Sequence, residues 1–248
     1  MSDSNEQWQD PQERSDDTSS KANPAPAATA VQNGFLNLVN ADSDYFLQTD
    51  DILASILPLF REVATIHGQG LVMPADGIAS LTVKEGNVLT TAGSAKSPVS
   101  NLSKIENLQT RVSKALYVSQ HREVTSDDNG DLSVANLDVV EADHDFTHPV
   151  YVTGYKTWEQ ALGHHDAFSD ILVLGQVLAS LALGLDFTRI EDLTIFATNR
   201  SNLFAINARL HPVVAAVIVE MTELNRHRRA TDLSSCIFRL EAYREQTV

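Results

Sequence analysis

Histidine and carboxylate side chains supply most of the chemistry open to this 248-residue chain, and two places gather them. Asp143-His144-Asp145 with His148 is one, and His164-His165-Asp166 is the other. Imidazole and carboxylate are reasonable ligands for a divalent metal. Neither group has the H-E-x-x-H spacing that sets two ligands on one helix face, and no cysteine lies near, so no metal site is expected. Gly163-His164-His165-Asp166 reads instead as a turn leading into a capped helix. Acyl transfer has no handle: G-x-S-x-G is absent. His67 falls at a helix C-terminus, where the dipole favours it without any catalytic role. Arg226-His227-Arg228-Arg229 is the one positive cluster. It could grip phosphate or form a structural turn, and in so acidic a chain the turn is the better reading. The acidic stretch from Ser126 to Asp145 is either a solvated face or a docking surface for a basic partner.

The charge balance sets limits on partners. Eighteen Lys and Arg stand against 33 Asp and Glu, a net charge of −15. Direct nucleic-acid binding is therefore unlikely, since it needs clustered cations to displace counterions, and an anionic membrane surface is disfavoured too. The lone Cys236 rules out an internal disulfide and suits a reducing compartment; its thiol is expected to pack in a late helix. There is no basic start followed by an apolar run that would mark a secretory leader. Ile171 to Leu185, the longest apolar stretch, is interrupted and too short to span a bilayer. A cytoplasmic protein is expected.

The elements that must position these groups follow from hydrophobic spacing. Residues 1–33 read as a disordered acidic tail, with too little apolar surface to offset the entropy of ordering. Trp8 is its one large hydrophobic side chain, so the tail is either simply solvated or carries a short linear motif there. A helix is expected from Asp50 to Ile66, capped by Thr49, kinked or divided at Pro58, and stopped by Gly68 and Gly70. Residues 71–95 read as a loop and a small hairpin turning at Glu85-Gly86-Asn87. One helical turn is expected within Lys104 to Arg111. Strands are expected at Ala115 to Val124 and Leu132 to Val140, joined at Asn129-Gly130. Ser169 would cap a helix from Asp170 to Leu183 that is apolar on every face and so belongs in the middle of the domain. An amphipathic segment, Glu191 to Asn207, follows. Pro212 opens the next helix, and Thr231 caps the last, running to about Gln246.

Three segments, in order, resemble the large C-terminal lobe of the protein-kinase fold. Ile66-His67-Gly-Gln-Gly70-Leu-Val72 resembles the end of the helix before the catalytic loop. Gly154-Tyr155-Lys-Thr-Trp-Glu159-Gln160, followed by Asp170-Ile171-Leu-Val-Leu-Gly175, resembles the end of the activation segment running into the central helix. Met221 to Leu233 resembles the turn that carries the lobe's late arginine. The wording of residues 157–187 and 210–233 is also similar to the kinase-like region at the N-terminus of large bacterial superfamily 1 helicase proteins, some in anti-phage defence. The resemblance implies an α+β, mainly α fold: a protein-kinase-like large lobe over residues 34–248, with small hairpins and the small lobe absent. Residues 96–150 would be a divergent activation-segment region. It implies that Glu159 and Arg229 form a buried ion pair. It also implies that Asp170 accepts backbone N–H bonds from the loop at Met73 to Asp76.

The same alignment shows what is missing. Phosphoryl transfer needs a base for the attacking hydroxyl, carboxylate and amide ligands for Mg²⁺, and a cradle for the phosphates. The base position falls on Ala75, and the two metal-ligand positions fall on Ser80 and Thr91. Ala cannot take a proton, and a Thr hydroxyl is a poor ligand for a hard dication. Asp76 could rescue the base only by a register shift. No G-x-G-x-x-G and no strand lysine precede the first helix. The expectation is a catalytically inactive, pseudokinase-like interaction or regulatory module without cofactor. Its protein partner would be a helicase, in cis or in trans. The alternative is an atypical serine/threonine kinase or nucleotide-binding regulator using ATP and Mg²⁺ through Asp76. A truncated product is a third reading, since the chain ends just after the last lobe helix.

Overall fold

The computed structural model describes residues 34–40, 47–91, 93, 95–103, 105, 139–140 and 151–246. Helix α1 covers residues 34–40. Helix α2, Thr49–Gly68, buries Ile52, Leu53, Ile56, Leu57, Leu59, Phe60 and Val63. It starts one residue earlier than its sequence suggests. Thr49 is its first helical residue, and Gln48 sits in the cap position, its carbonyl accepting from Ile52 N at 3.0 Å. Pro58 neither ends nor divides it: α2 is assigned as one helix. The hydrogen bond that Pro58 cannot donate costs less than exposing the buried residues on either side of it.

A 3₁₀ turn at Gly77–Ser80 leads into a hairpin, β1 (Leu81–Lys84) paired antiparallel with β2 (Asn87–Thr90) across Glu85-Gly86. The hairpin lies on α2: Glu62 accepts from the Thr90 amide at 3.0 Å and also from its hydroxyl. The strands expected at 115–124 and 132–140 lie outside the described residues, apart from Val139–Val140 (β3). That pair runs parallel to Tyr151–Val152 (β4). The tail 1–33, and the turn at 104–111 except Ile105, also lie outside the described residues.

The last third is helical. Short α3, Trp158–Ala161, carries a capping box in which Thr157 and Gln160 satisfy each other's backbone N–H groups. Helix α4, Ala167–Leu183, is buried on every face from Ser169 to Leu183. Asp166 caps it, not Ser169, because its carboxylate reaches the amides of Phe168 and Ser169 at 3.0 and 3.1 Å. Ser169 itself is the third residue of the helix. Helices α5 (Ile190–Asn199), α6 (Pro212–Met221) and α7 (Leu233–Gln246) follow. Pro212 opens α6 at its first turn, with His211 as the cap. Asp232 replaces Thr231 at the start of α7 by accepting from Ser234 and Ser235. An ionised carboxylate is the stronger acceptor for these end amides. Gly175 lets α4 come hard against α6: a Cβ there would lie 2.7 Å from the Met221 Cβ. The result is a mainly helical α+β domain built around α4, with a small antiparallel hairpin.

Candidate functional site

The loop between α2 and β1 holds Ala75 and Ser80, Thr91 follows directly after β2, and one buried carboxylate organises the loop. Asp170, in the first turn of α4, is 1% exposed. Its Oδ2 accepts from the Met73 amide at 2.8 Å and from His67 Nε2 at 2.9 Å. Its Oδ1 accepts from His165 Nε2 at 2.6 Å. Burial pushes the Asp170 pKa up, but the His165 and His67 bonds outweigh it and the net shift is down. The group is therefore a carboxylate that accepts three donors, and it pins the loop at Met73 to the core helix.

A second knot ties α3 to the turn after α6. Glu159 and Arg229 form a fully buried ion pair, with Arg229 Nη2 2.8 Å from Glu159 Oε1. Arg229 also donates to three backbone carbonyls, those of Glu223 (2.7 Å), Phe168 (2.8 Å) and Leu224 (3.3 Å). Five guanidinium N–H groups in a rigid fork suit this clamp. Arg226 reaches the same region: it donates to Asp166 Oδ2 at 2.6 Å and lies over the Phe168 ring at 5.0 Å. Burial raises the Asp166 pKa, but Arg226 more than cancels that, and the group falls to about 2. His164 accepts the Asn101 amide on Nδ1 at 2.9 Å. Its proton therefore sits on Nε2 and points to Asp166, 3.1 Å away.

Two of the positions that the resemblance aligns with metal ligands, Ser80 and Thr91, are bonded to each other. Ser80 is buried and donates its hydroxyl to the Gly77 carbonyl at 2.6 Å. The Thr91 amide donates to the Ser80 carbonyl at 2.8 Å, and its hydroxyl reaches the Ala79 carbonyl at 3.3 Å. Ala75 is exposed on the same loop. Asp76, 61% exposed, has the Lys96 ammonium 3.7 Å away as its ionic partner. These groups satisfy the loop's own backbone, and Ala75 brings no acid or base to it. Gly77 closes the picture. Its φ is +59°, and a Cβ placed on it would lie 2.3 Å from the Gly154 carbonyl oxygen. The segment at 154–156 is thus seated on the loop with no space for a side chain between them.

His164, His165 and Asp166 are spent on this network and are already bonded to Asn101, Asp170, Arg226 and the α4 cap. Among the described residues no group of three His, Cys, Asp or Glu is placed to hold a metal ion. The other pair of candidates, Asp143-His144-Asp145 with His148, lies outside the described residues, as does the acidic stretch it belongs to. Cys236 is buried in α7, and burial pushes its thiol up to about 11, so it is unreactive. The basic run divides by role: Arg229 is buried, Arg226 is bonded, and Arg228 is exposed.

Sequence reasoning missed His67 and His165 as partners of Asp170, and Arg226 as the partner of Asp166. Asp166 and Asp170 are one helical turn apart, so both point back toward the preceding turn where His164 and His165 lie. That spacing was the available signal. Among the described residues no helix is long and apolar enough to cross a membrane. No family model matches the chain, and neither a curated protein nor a solved structure matches it.

Proposed function

We propose that this chain is a non-catalytic, pseudokinase-like module that holds and regulates a protein partner, of the kind joined to or encoded beside superfamily 1 helicases. One observation carries the reading: the framework around the loop is built while the positions aligned with base and metal ligands carry no carboxylate. Asp170 grips the Met73 amide and the Glu159–Arg229 pair is buried, as the resemblance implies for a kinase-like lobe. The base and metal positions, Ala75, Ser80 and Thr91, offer no carboxylate, and the Gly154 carbonyl fills the space above Gly77. A scaffold that keeps its anchors without its reactive groups retains shape, and shape serves recognition.

Calorimetry with ATP and Mg²⁺ or Mn²⁺ tests the absence of a nucleotide site, and no heat of binding is expected. A thermal shift with Mg·ATP, followed by phosphate transfer that disappears in Asp76→Ala, would overturn the proposal. That outcome would favour the rival reading, an atypical kinase, for which exposed Asp76 beside Lys96 is the supporting observation. The helicase part has its own check. A helicase frame downstream of this one, co-expressed with it, should co-purify with the chain.

A further inference from the structure

A cleft of about 500 Å³ opens on the face opposite in chemistry to the loop just described, between the end of α5, the 3₁₀ turn at Leu203–Ala205 and α6. Its apolar floor is Phe204, Pro212, Ala216 and Val219, and Phe204 stands 42% exposed. Four charged side chains complete the wall. Glu220 is paired with Arg239 of α7. Glu223 lies 3.5 Å from Arg200 Nη2. Arg200 is 1% exposed and donates to the Val219 carbonyl and to the Thr222 hydroxyl, yet its Nη1 is buried with no hydrogen-bond partner. Arg228 is exposed, and no acidic side chain among the described residues pairs with it. Both carboxylates are therefore matched while a guanidinium N–H and a whole cation are not. In a chain of net charge −15, this cleft keeps an unmet demand for an anion beside an apolar floor.

We infer that the cleft is the docking site for the chain's own N-terminal segment around Trp8, with the indole on the floor and Glu6 or Asp10 toward Arg228. The segment 1–33 carries six acidic residues, Asp3, Glu6, Asp10, Glu13, Asp16 and Asp17, against Arg14 and Lys21. Trp8 is its single aromatic, in Glu6-Gln-Trp8-Gln-Asp10. An aromatic flanked by carboxylates is the complement of an apolar floor beside the exposed Arg228 guanidinium. Fully extended, the tether is longer than a domain of this size is wide. From Asp10 to Gly34 is 24 residues, which span roughly 80 Å fully extended and about 27 Å as a flexible coil. At that length the local concentration of the segment is on the order of millimolar, so even weak contacts fill the cleft. A partner that uses this face must then displace the segment, which makes the segment a competitor built into the chain.

The chain has two tryptophans, Trp8 and the buried Trp158, and this makes the test direct. The full-length protein is labelled with 5-fluorotryptophan and read by fluorine NMR, with Trp8→Phe assigning the resonances. The Trp158 resonance reports the fold in every variant. In the wild type the Trp8 resonance should differ from that of a synthetic peptide of residues 1–16. Arg228→Glu should move it to the peptide position, with the docked-to-free ratio falling about tenfold, as expected for one lost charge-assisted bond. Phe204→Ser should do the same. Adding Glu6→Lys and Asp10→Lys to Arg228→Glu should restore docking. The inference is overturned by a wild-type Trp8 resonance at the peptide position, or by one that ignores both cleft substitutions while Trp158 stays unchanged. A Trp8 shift that grows with protein concentration would assign the cleft to a second copy and overturn the intrachain assignment.

Discussion

Glu159→Gln isolates the charge in the buried pair. Gln keeps the shape and can still accept from Arg229 through Oε1, so the change removes the negative charge and little else. In the wild type both side chains are fully buried and 2.8 Å apart. At an effective dielectric near 20, two unit charges at that distance attract by about 6 kcal/mol before desolvation is counted. The substitution leaves Arg229 charged, buried and facing three carbonyls without a carboxylate, and it takes the same charge from Arg226, whose Nη1 lies 3.4 Å from Glu159 Oε1. Glu159 Oε2 has no hydrogen-bond partner, so the new amide nitrogen finds none waiting there either. Breaking one side of a buried pair costs about 3–5 kcal/mol, a fifth or more of the stability of an ordinary domain. Equilibrium urea unfolding is the assay. With a slope near 3 kcal/mol per molar for a chain of this length, the midpoint should drop by about 1–1.7 M with the slope unchanged. A paired replacement, Glu159→Met with Arg229→Met, should cost less than the two single replacements together, because the two charges vanish at once. A Glu159→Gln midpoint within about 0.3 M of wild type would refute the claim that this pair ties α3 to the turn after α6.

Other perturbations test other parts of the site. Gly77→Ala should destabilise by about 2 kcal/mol or more, since it combines the left-handed backbone with a Cβ 2.3 Å from the Gly154 oxygen. Gly86→Ala, at φ +78° with open space around it, should cost about 1 kcal/mol in the same thermal melt; equal costs would deny the contact between 77 and 154. Leu174→Ala, in the buried α4, should cost about 2–5 kcal/mol by urea unfolding. Asp166 carries a pH signature. Its folded pKa, about 2, lies below its ordinary 3.8, so its contribution is present above pH 3.8 and lost as pH falls toward 2. Arg226→Met should therefore be less stable than wild type near neutrality, and the gap between the two should close between pH 4 and pH 2. A gap that stays constant across that window would mean that Arg226 acts through Glu159, whose Oε1 lies 3.4 Å from its Nη1, and through packing on Phe168 rather than through Asp166.

Patterns of period and capping were legible in the chain before any coordinates. The all-round apolar run from Ile171 to Leu183 could only be a central helix, because no orientation leaves a polar face for water. Glu85-Gly86 between two short β-prone runs could only be a tight turn, and Pro212 announced the start of α6. Local rules erred where two acceptors competed for one helix end. Asp166 displaced Ser169 and Asp232 displaced Thr231, since a carboxylate outbids a hydroxyl for free amides and residues next to each other look alike in sequence. Of the two outcomes expected at Pro58, division did not occur: tertiary burial on both sides of it held α2 together.

What the sequence by itself determined is the central helix, the hairpin, the charge and the absence of acidic groups at 75, 80 and 91. The tertiary structure alone decided which charges meet. Asp170 joins His67 and Met73 across about a hundred residues of chain, and Arg226 finds Asp166 sixty residues away. No periodicity encodes such pairs, because the partners come from different elements and their distance depends on how α2, α3, α4 and the turn after α6 pack. The same holds for Gly77, whose need to be glycine comes from a carbonyl seventy-seven residues further on.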